Sequence, residues 1–304
     1  MKNGCDGKCD SCSKTEACND PRRQSYEREQ RLKLRMSRIR HKIAVISGKG
    51  GVGKSTVTVN LAVAFAMRGH ANSVGILDAD IHGPCVPNML GLKGQRLLPD
   101  PEGMLPVIGP LGIKVVSMAF LLPNDEAPVV WRGPLKMVAI EQFLSDTVWG
   151  ELEFLFIDLP PGTGDEPLSI MQLIPSMDGV VIVTMPNKVA QDVVKKAVTF
   201  AQHLGIPIIG VIENMSGFVC PKCGHEIDTF KTGGGQKMAR DFSIPFLGSI
   251  PIDSEICQDS DNGTPFIIEH ADSAATDAFN EITRGIEHFL EHRKRLESAQ
   301  AKTS

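Results

Sequence analysis

Residues 48–56 have the sequence Gly48-Lys49-Gly50-Gly51-Val52-Gly53-Lys54-Ser55-Thr56, between a mostly β-branched run at 43–46 and a segment of helical periodicity. The stretch satisfies the pattern GxxxxGK[ST], in which glycines let backbone N–H groups surround phosphate oxygens. In that pattern Lys54 meets the β- and γ-phosphate oxygens, and Ser55 reaches Mg²⁺. The following helix points the positive end of its dipole at the anion. The sequence therefore predicts a phosphate-binding loop, with all of 48–56 as candidate nucleotide contacts.

From residue 43 onward, short apolar runs alternate with segments of helical periodicity. Near-continuous apolar strands such as 179–183 are typical of a parallel sheet that is buried on both faces. The alternation predicts an α/β fold with a doubly wound, mostly parallel sheet, whose ligands bind at the carboxyl ends of the strands. The predicted strands are 43–47, 73–77, 113–118, 153–157, 179–183, 207–212 and 246–250, and the predicted helices are 55–69, 133–147, 165–174, 187–203, 233–241 and 271–297.

The composition limits the class of protein. The chain has 304 residues, of which 42% are hydrophobic, enough for one large α/β domain with a small attachment. A net charge of −4 does not favour a general nucleic-acid binder. No apolar run approaches the ~18 residues that a membrane-spanning helix needs, and the first residues lack the apolar region of a secretory signal. We therefore expect a cytoplasmic protein with no nucleic-acid partner and no membrane partner.

The predicted organisation starts with two segments that precede the main domain. The N-terminal residues combine cysteines with few large apolar side chains, so they cannot bury a core of their own, and a bound metal could order them. The basic segment after them has apolar residues near helical spacing, and a helix laid against the domain is favoured over a contact with anionic membrane or RNA. The predicted units are a Cys-rich metal-binding extension at 1–20, a basic linker helix at 21–41, a P-loop ATPase domain at 42–297 that contains a cysteine hairpin at 216–229, and a flexible tail at 298–304.

Acidic residues follow two of the predicted strands. Asp78 and Asp80 come after strand 73–77, and Asp158 comes directly after strand 153–157. Asp158 has the position of a Walker B acid that holds Mg²⁺. Asp80 is a candidate for orienting the attacking water, with Asp78 as structural or metal support. Any one of them fits a helix cap or a turn, but three acids at strand ends that face the same loop favour function.

The cysteines are unevenly distributed. In a reducing cytosol, clusters of cysteine suggest metal ligands rather than disulfides. Thiolate sets suit zinc and iron–sulfur clusters alike, so spacing leaves the metal open. Cys85 and Cys257 stand alone and are unassigned, since a lone cysteine is more often a small buried hydrophobe than a ligand. The N-terminal candidates, whose spacing allows four thiolates around one centre, are Cys5, Cys9, Cys12 and Cys18.

A second cysteine pair, Cys220 and Cys223, lies in a stretch that resembles a metal knuckle on a short hairpin. Two cysteines are half of a four-ligand site, and a symmetric dimer would supply the same pair again. His225 is an alternative ligand, although an exposed turn residue is the favoured interpretation. A redox dithiol is a further alternative. The pair therefore predicts a metal centre shared by two copies of the chain.

The loop motif and the segments after it resemble a known family. Lys49 beside Gly48 gives GKGGVGKST, which is similar to the deviant Walker A motif of the MinD/ParA/nitrogenase iron protein class. Within that class, the chain from about residue 42 to the C-terminal helix resembles the Mrp/Nbp35 (ApbC-like) iron–sulfur cluster carrier ATPases. The segments that carry the resemblance are DADIHGP at 78–84, DLPPGTGD at 158–165, ENMS at 213–216 and the pair Cys220 and Cys223.

The resemblance implies a homodimeric ATPase that receives a 4Fe-4S cluster from a donor or assembles it, and transfers it to apo iron–sulfur proteins. The extra lysine of this class reaches the nucleotide of the opposing subunit, and the N-terminal cysteines hold a second 4Fe-4S cluster. Cys5 departs from the spacing of that N-terminal pattern. The implied roles are Lys49 and Lys54 on ATP phosphates, Ser55, Asp80 and Asp158 at Mg²⁺, Asp80 in hydrolysis, Asn187 and Asn214 at the nucleotide, and Cys220 with Cys223 on a cluster that bridges two subunits.

Two other functions are weighed against this one. A MinD/ParA-like positioning ATPase would bind DNA or membrane through a basic surface or a terminal amphipathic anchor, but 287–304 has mixed charges and few apolar residues. A zinc-stapled dimeric nucleotide switch would use the cysteine pair only as a structural site. The sequence at 220–225, Cys-Pro-Lys-Cys-Gly-His, is typical of zinc knuckles, so the spacing is compatible with that function.

Overall fold

The computed structural model describes residues 21–121, 133–219, 223, 225–227 and 232–301. Within these residues, every helix is too short or too polar to cross a lipid bilayer. Outside them lie the predicted extension at 1–20, the end of the predicted tail, and five of the candidate metal ligands, Cys5, Cys9, Cys12, Cys18 and Cys220.

Strands and helices alternate through the described chain. The strands are β1 (Ile39–Ser47), β2 (Val74–Asp78), β3 (Leu98–Asp100), β4 (Gly103–Leu105), β5 (Val107–Ile108), β6 (Lys114–Ser117), β7 (Leu152–Asp158), β8 (Gly179–Thr184), β9 (Ile208–Glu213), β10 (Phe218–Val219), β11 (Glu226–Ile227) and β12 (Phe246–Ser249). The α-helices are α1 (Pro21–Ser37), α2 (Lys54–Phe65), α3 (Val86–Met89), α4 (Gly133–Ser145), α5 (Asp165–Leu173), α6 (Lys188–His203), α7 (Gly234–Asp241), α8 (Ser254–Asn262), α9 (Phe266–Glu269) and α10 (Ala274–Ala301).

The central sheet has eight strands in the order β12-β9-β8-β1-β7-β2-β6-β5. Its neighbours run parallel except for the antiparallel edge strand β5. Ile43 and Val45 of β1 pack in the layer of α2 and α10, whereas Ala44 and Ile46 pack in the layer of α4, α5 and α6. Burial on both faces explains the continuous apolar strands. The predicted doubly wound, mostly parallel α/β fold is confirmed.

Helix α1 packs on the domain and the first strand begins directly after it. Leu32 and Met36 are buried in the same cluster as Phe143 of α4, and Ile39 joins them. Because apolar residues continue past the end of α1, β1 begins at Ile39 rather than at residue 43. The last residues of the predicted linker helix therefore belong to the strand.

Most elements that the sequence did not predict are short. Helices α3 and α9 have 4 residues each, strands β3 and β4 have 3, and β5 has 2. Elements of this length show no periodicity that a sequence pattern can reveal. The predicted helix 55–69 is α-helical to Phe65 and continues as a π-helical turn, Ala66–His70, in which Gly69 has φ 103°. That positive φ ends the helix, as glycine commonly does at a helix C-terminus.

Candidate nucleotide site and cysteine hairpin

Two glycines in left-handed conformation shape the loop between β1 and α2. Gly51 has φ 77°, and Gly53, the N-cap of α2, has φ 78°. L-residues with side chains are strained in this region, so the glycines of the motif are required by the backbone. A Cβ added to Gly53 would also lie 2.2 Å from Asn214 Nδ2. Since α2 begins at Lys54, its first backbone N–H groups face the loop, which is the geometry that binds phosphate.

Asp158, the last residue of β7, lies against the start of α2 with its side chain fully buried. The Lys54 ammonium lies 2.7 Å from Asp158 Oδ1, and the Ser55 hydroxyl donates to Oδ2 at 2.5 Å. Thr58, one helical turn after Lys54, donates from Oγ1 to Oδ1 at 2.9 Å. The structure therefore brings together the lysine, the hydroxyl and the acid that the sequence predicted as partners at this site.

Asp78 stands directly opposite Asp158 in the ladder between β2 and β7. Asp78 is fully buried and its Oδ2 accepts a hydrogen bond from Ser117 Oγ at 3.0 Å. Burial raises the pKa of Asp78 to about 8, the Asp158 carboxylate adds to the increase, and the Lys54 ammonium opposes it. At neutral pH Asp78 therefore retains a proton much more readily than an exposed aspartate does.

The remaining predicted nucleotide residues lie at the same edge of the sheet. Asp80 is half-buried after β2, where its Oδ1 accepts a hydrogen bond from Gly83 N at 3.2 Å and so closes a turn. Lys49 is half-buried in the phosphate loop, and none of the described residues forms an ion pair with it. Asn187 is half-buried between the end of β8 and the start of α6. These residues therefore follow the carboxyl ends of three parallel strands, β2, β1 and β8, which is where ligands of such sheets bind.

Asn214 connects the end of β9 to the phosphate loop. Its Nδ2 donates to the carbonyl oxygen of Val52 at 2.9 Å, and its backbone N donates to Thr184 O at 2.8 Å. Asn214 is 7% exposed. In this structure the amide of Asn214, which the resemblance places at the nucleotide, holds the backbone of the loop.

The cysteine hairpin follows Asn214. Strands β10 and β11 pair antiparallel, and Cys223 lies between them as an exposed free thiol. His225 is also exposed, which agrees with the favoured interpretation of it as a turn residue. The hairpin is therefore present, with its described cysteine open to solvent.

Lys136, His82 and Glu166 connect the two acidic loops, a contact that the sequence patterns did not predict. Lys136 of α4 is 7% exposed; its ammonium donates to Glu166 Oε1 at 2.5 Å and contacts His82 Nε2. His82 lies in the loop after β2, and Glu166 lies in the first turn of α5, after the loop that begins at Asp158. A bridge of this kind forms between segments far apart in sequence, so spacing gives no signal for it.

Three more residues have contacts or exposures that the sequence patterns did not predict. Thr58 lies four residues after Lys54 and therefore on the same face of α2, so helical spacing could have predicted that Thr58 is close to the partners of Lys54. Cys85 and Cys257 are exposed free thiols rather than buried hydrophobes. Cys85 precedes the short helix α3 and Cys257 lies on α8, which has no buried residues, so neither position faces the core. Partial burial raises the pKa of the Cys85 thiol, and nearby carboxylates add to the increase.

The fold and this site define a P-loop nucleoside triphosphatase with a second lysine in its phosphate loop. The chain belongs to the ParA-type family described as NUBPL iron-transfer P-loop NTPase, which matches residues 38–287.

Curated relatives are similar over most of their length. The iron-sulfur cluster carrier protein of Methanocaldococcus jannaschii is 50% identical over 290 residues, 95% of this chain and 99% of that relative. The iron-sulfur cluster carrier protein of Saccharolobus solfataricus is 51% identical over 261 residues, 86% of this chain and 88% of that relative.

Solved structures share the fold. A nucleotide-binding protein from Archaeoglobus fulgidus in complex with ADP is 42% identical, with a TM-score of 0.72 over 83% of this chain and 96% of that chain. The cell division ATPase MinD of Pyrococcus furiosus is 22% identical, with a TM-score of 0.58 over 82% of this chain and 98% of that chain. At that lower identity the likeness concerns the fold alone.

Proposed function

We propose that this chain is an ATP-binding and ATP-hydrolysing carrier that assembles a 4Fe-4S cluster and transfers it to apo iron–sulfur proteins. The observation that carries the proposal is the contact between the phosphate loop and the base of the cysteine hairpin, where Asn214 donates to Val52. A nucleotide site and a pair of candidate cluster ligands are thereby linked. The names of the relatives, iron-sulfur cluster carrier proteins, support the same function.

The residues of the loop fit ATP and Mg²⁺. The Lys54 ammonium and the start of α2 offer positive charge and N–H donors to phosphates. The Ser55 hydroxyl and the Asp158 carboxylate, 2.5 Å apart, offer the oxygen ligands that Mg²⁺ prefers. When bound there, Mg²⁺ would neutralise charge on the phosphate oxygens. In the nucleotide complex we expect Lys54 to exchange Asp158 for phosphate oxygens.

We assign hydrolysis to Lys49, Lys54 and Asp80. Asp80 would orient the water that attacks the γ-phosphate, because a carboxylate beyond the end of β2 can accept a proton of that water. The two lysines would compensate the charge that develops on the transferred phosphoryl group. The other nucleotide contacts in this assignment are residues 48–56, Asn187 and Asn214, with Asp80 also close to Mg²⁺.

The proposed working unit is a homodimer. Cys220 and Cys223 supply two thiolates, and a 4Fe-4S cluster has four ligand positions, so the pair of a second copy completes the set. Lys49 also requires a second subunit, since an extra lysine of this kind would act on the nucleotide of the other subunit. Separation of the subunits would weaken the coordination of the bridging cluster. The nucleotide bound at the subunit interface would therefore control cluster transfer by controlling how tightly the subunits associate.

The carrier would exchange clusters with two kinds of partner protein. A cluster donor would load the chain, and apo iron–sulfur proteins would receive the cluster. Three exposed free thiols suit a compartment that keeps cysteines reduced, so we place the protein in the cytoplasm. A second 4Fe-4S cluster in each extension would be held by Cys5, Cys9, Cys12 and Cys18.

Anaerobic purification tests this function. We expect iron and acid-labile sulfide in similar amounts, and ATP-dependent transfer that restores the activity of an apo iron–sulfur enzyme. Zinc without sulfide would instead identify a zinc-stapled switch. Binding to DNA or lipid vesicles with no cluster would identify a positioning ATPase.

Cysteine variants sharpen the test. Cys220→Ala with Cys223→Ala should abolish the transferable cluster while leaving the N-terminal one. The matched control, Cys85→Ala with Cys257→Ala, removes two exposed free thiols elsewhere and should leave transfer unchanged. Retention of transfer by the first double variant would refute the assignment of the pair.

A further inference from the structure

Glu213, the last residue of β9, has a fully buried carboxylate. Its Oε1 accepts hydrogen bonds from Ser216 Oγ at 2.5 Å and from Gly233 N at 3.0 Å, and its Oε2 accepts one from Gly235 N at 2.5 Å. No described residue forms an ion pair with this carboxylate. The Glu213 side chain therefore has three donors, two of which are backbone N–H groups at the N-terminal end of α7.

These donors stand on both sides of the cysteine hairpin. Ser216 precedes β10, whereas Gly233 and Gly235 follow β11 at the start of α7. One carboxylate thus binds the entry and the exit of the segment that carries Cys223. The approach at the exit is close, since a Cβ added to Gly235 would lie 3.1 Å from the Cβ of Glu213.

The backbone around Glu213 fixes the base of the hairpin to the sheet. Ile250 N donates to Glu213 O at 2.8 Å, and Ser216 N donates to Ile250 O at 2.9 Å. Ile252 N donates to Gly217 O at 2.8 Å. The base of the hairpin is therefore anchored to the chain that follows β12, and Glu213 supplies the side-chain part of that anchor.

The next residue along the chain points to the phosphate loop. Asn214 donates to Val52 O at 2.9 Å, and its Nδ2 fills the space beside Gly53. Glu213 and Asn214 share one planar peptide unit, so any displacement of the Asn214 backbone would also move the backbone carbonyl of Glu213. Adjacent residues therefore contact the nucleotide loop and the hairpin.

We propose that Glu213 is a positioning residue that couples the nucleotide site to the cysteine hairpin, so that nucleotide changes the exposure of Cys223 and the affinity of the hairpin for a cluster. The cluster part of this inference rests on the proposed function. Such coupling is reciprocal: a cluster on the hairpin changes nucleotide affinity by the same factor as nucleotide changes cluster affinity.

Glu213→Gln tests the coupling with little change of shape. A glutamine replaces one carboxylate oxygen by an NH₂ group, which would face a hydroxyl or backbone donor and lose at least one of the three hydrogen bonds. The matched control is Asp253→Asn, because Asp253 is also a carboxylate that accepts a backbone N–H at a helix N-terminus, that of α8. If Glu213→Gln fails to fold, Ser216→Ala removes one donor and leaves the carboxylate in place.

The first measurement is the alkylation rate of Cys223 by iodoacetamide in the metal-free full chain, followed by peptide mass spectrometry with and without saturating ADP. We expect ADP to change this rate by ~5-fold or more in the parent and in Asp253→Asn. In Glu213→Gln the rates with and without ADP should agree within about twofold, although the variant still binds ADP. Ser216→Ala should give an intermediate ratio.

The second measurement is the dissociation constant of ADP before and after anaerobic reconstitution with iron and sulfide. The parent value should shift by ~5-fold or more, and the shift should disappear in Glu213→Gln. An ADP effect as large as the parent's in Glu213→Gln, or in Ser216→Ala if Glu213→Gln does not fold, would overturn the inference, and so would the absence of an ADP effect in the parent. A parent that shows the ADP effect but takes up no iron and sulfide would uphold the coupling and refute the cluster function.

Discussion

Lys54 and Asp158 form a buried ion pair between residues 104 positions apart, with their side chains 6% and 0% exposed. The lysine begins α2 and the aspartate ends β7, so the pair joins the phosphate loop to the neighbouring strand. Ser55 and Thr58 add two hydroxyl donors to the same carboxylate. A ligand that replaces Asp158 as the partner of Lys54 must therefore break the ion pair at the centre of this hydrogen-bonded network.

Lys54→Met should destabilise the nucleotide-free protein by ~3–5 kcal/mol, because Asp158 would remain buried without its cation. Urea unfolding measures the change. Lys33→Met is the control: Lys33 forms an ion pair with Glu29 on the surface of α1, with both side chains more than half exposed, and its loss should cost less than ~1 kcal/mol. Adding Asp158→Asn to Lys54→Met should recover part of the loss. Equal effects of Lys33→Met and Lys54→Met would contradict this account.

Asp78 should contribute a decrease in the free energy of unfolding as pH rises from about 4 to about 8. Burial raises the pKa of this carboxyl from 3.8 to about 8. Below both values the proton is bound in both states; between them the folded protein holds a proton that the unfolded chain releases, so raising the pH favours unfolding. Asp78→Asn has no proton to lose and should show a smaller decrease. Urea unfolding at pH 5 and pH 8.5 compares the two proteins, and identical pH dependence would rule out the raised pKa.

Lys49→Ala should lower ATP turnover by ~10²-fold or more, since a group that stabilises transition-state charge typically contributes that much. Thermal unfolding should stay close to that of the parent, because Lys49 is half-buried and has no ion-pair partner among the described residues. Light scattering with ATP should show a weakened dimer. Normal turnover in the variant would remove Lys49 from the catalytic residues.

Lys136→Met should loosen the two loops that Lys136 joins. Without the ammonium, His82 and Glu166 lose their common partner, so the segments 79–86 and 159–166 should exchange amide hydrogens faster. Mass spectrometry of deuterated peptides measures the rates. Lys294→Met, on the exposed face of α10, should leave both segments unchanged. Equal exchange in Lys136→Met and the parent would show that the loops are held by other contacts.

Local sequence patterns predicted the strands of the sheet and the phosphate loop, because each of these elements is determined by a short continuous stretch of residues. The β-branched run before residue 48, the glycines at 51 and 53 and the helical segment after them define strand, loop and helix together. Asp158 was identified because it directly follows an apolar strand. Parallel strands bring such ends to one edge of a sheet, so the pattern predicted a contact as well as an element.

Contacts between residues that are far apart in the sequence could not be predicted from such local patterns. The Glu213 carboxylate accepts hydrogen bonds from residues 20 and 22 positions away, and Lys136 meets Glu166 30 positions away. Neither contact has a periodicity, because each depends on how loops fold over the sheet. The antiparallel edge strand β5 was also not predicted, because its 2 residues are too few to show an alternation of apolar and polar residues.

The strand order β12-β9-β8-β1-β7-β2-β6-β5 also governs what happens on the ribosome. Strand β1 pairs only with β7 and β8, so it emerges long before either partner exists. The 104 positions between Lys54 and Asp158 correspond to roughly 5–20 s of synthesis at ~5–20 residues per second. Throughout that interval the nascent chain carries an unpaired apolar strand and a phosphate loop that lacks its contacts with Asp158.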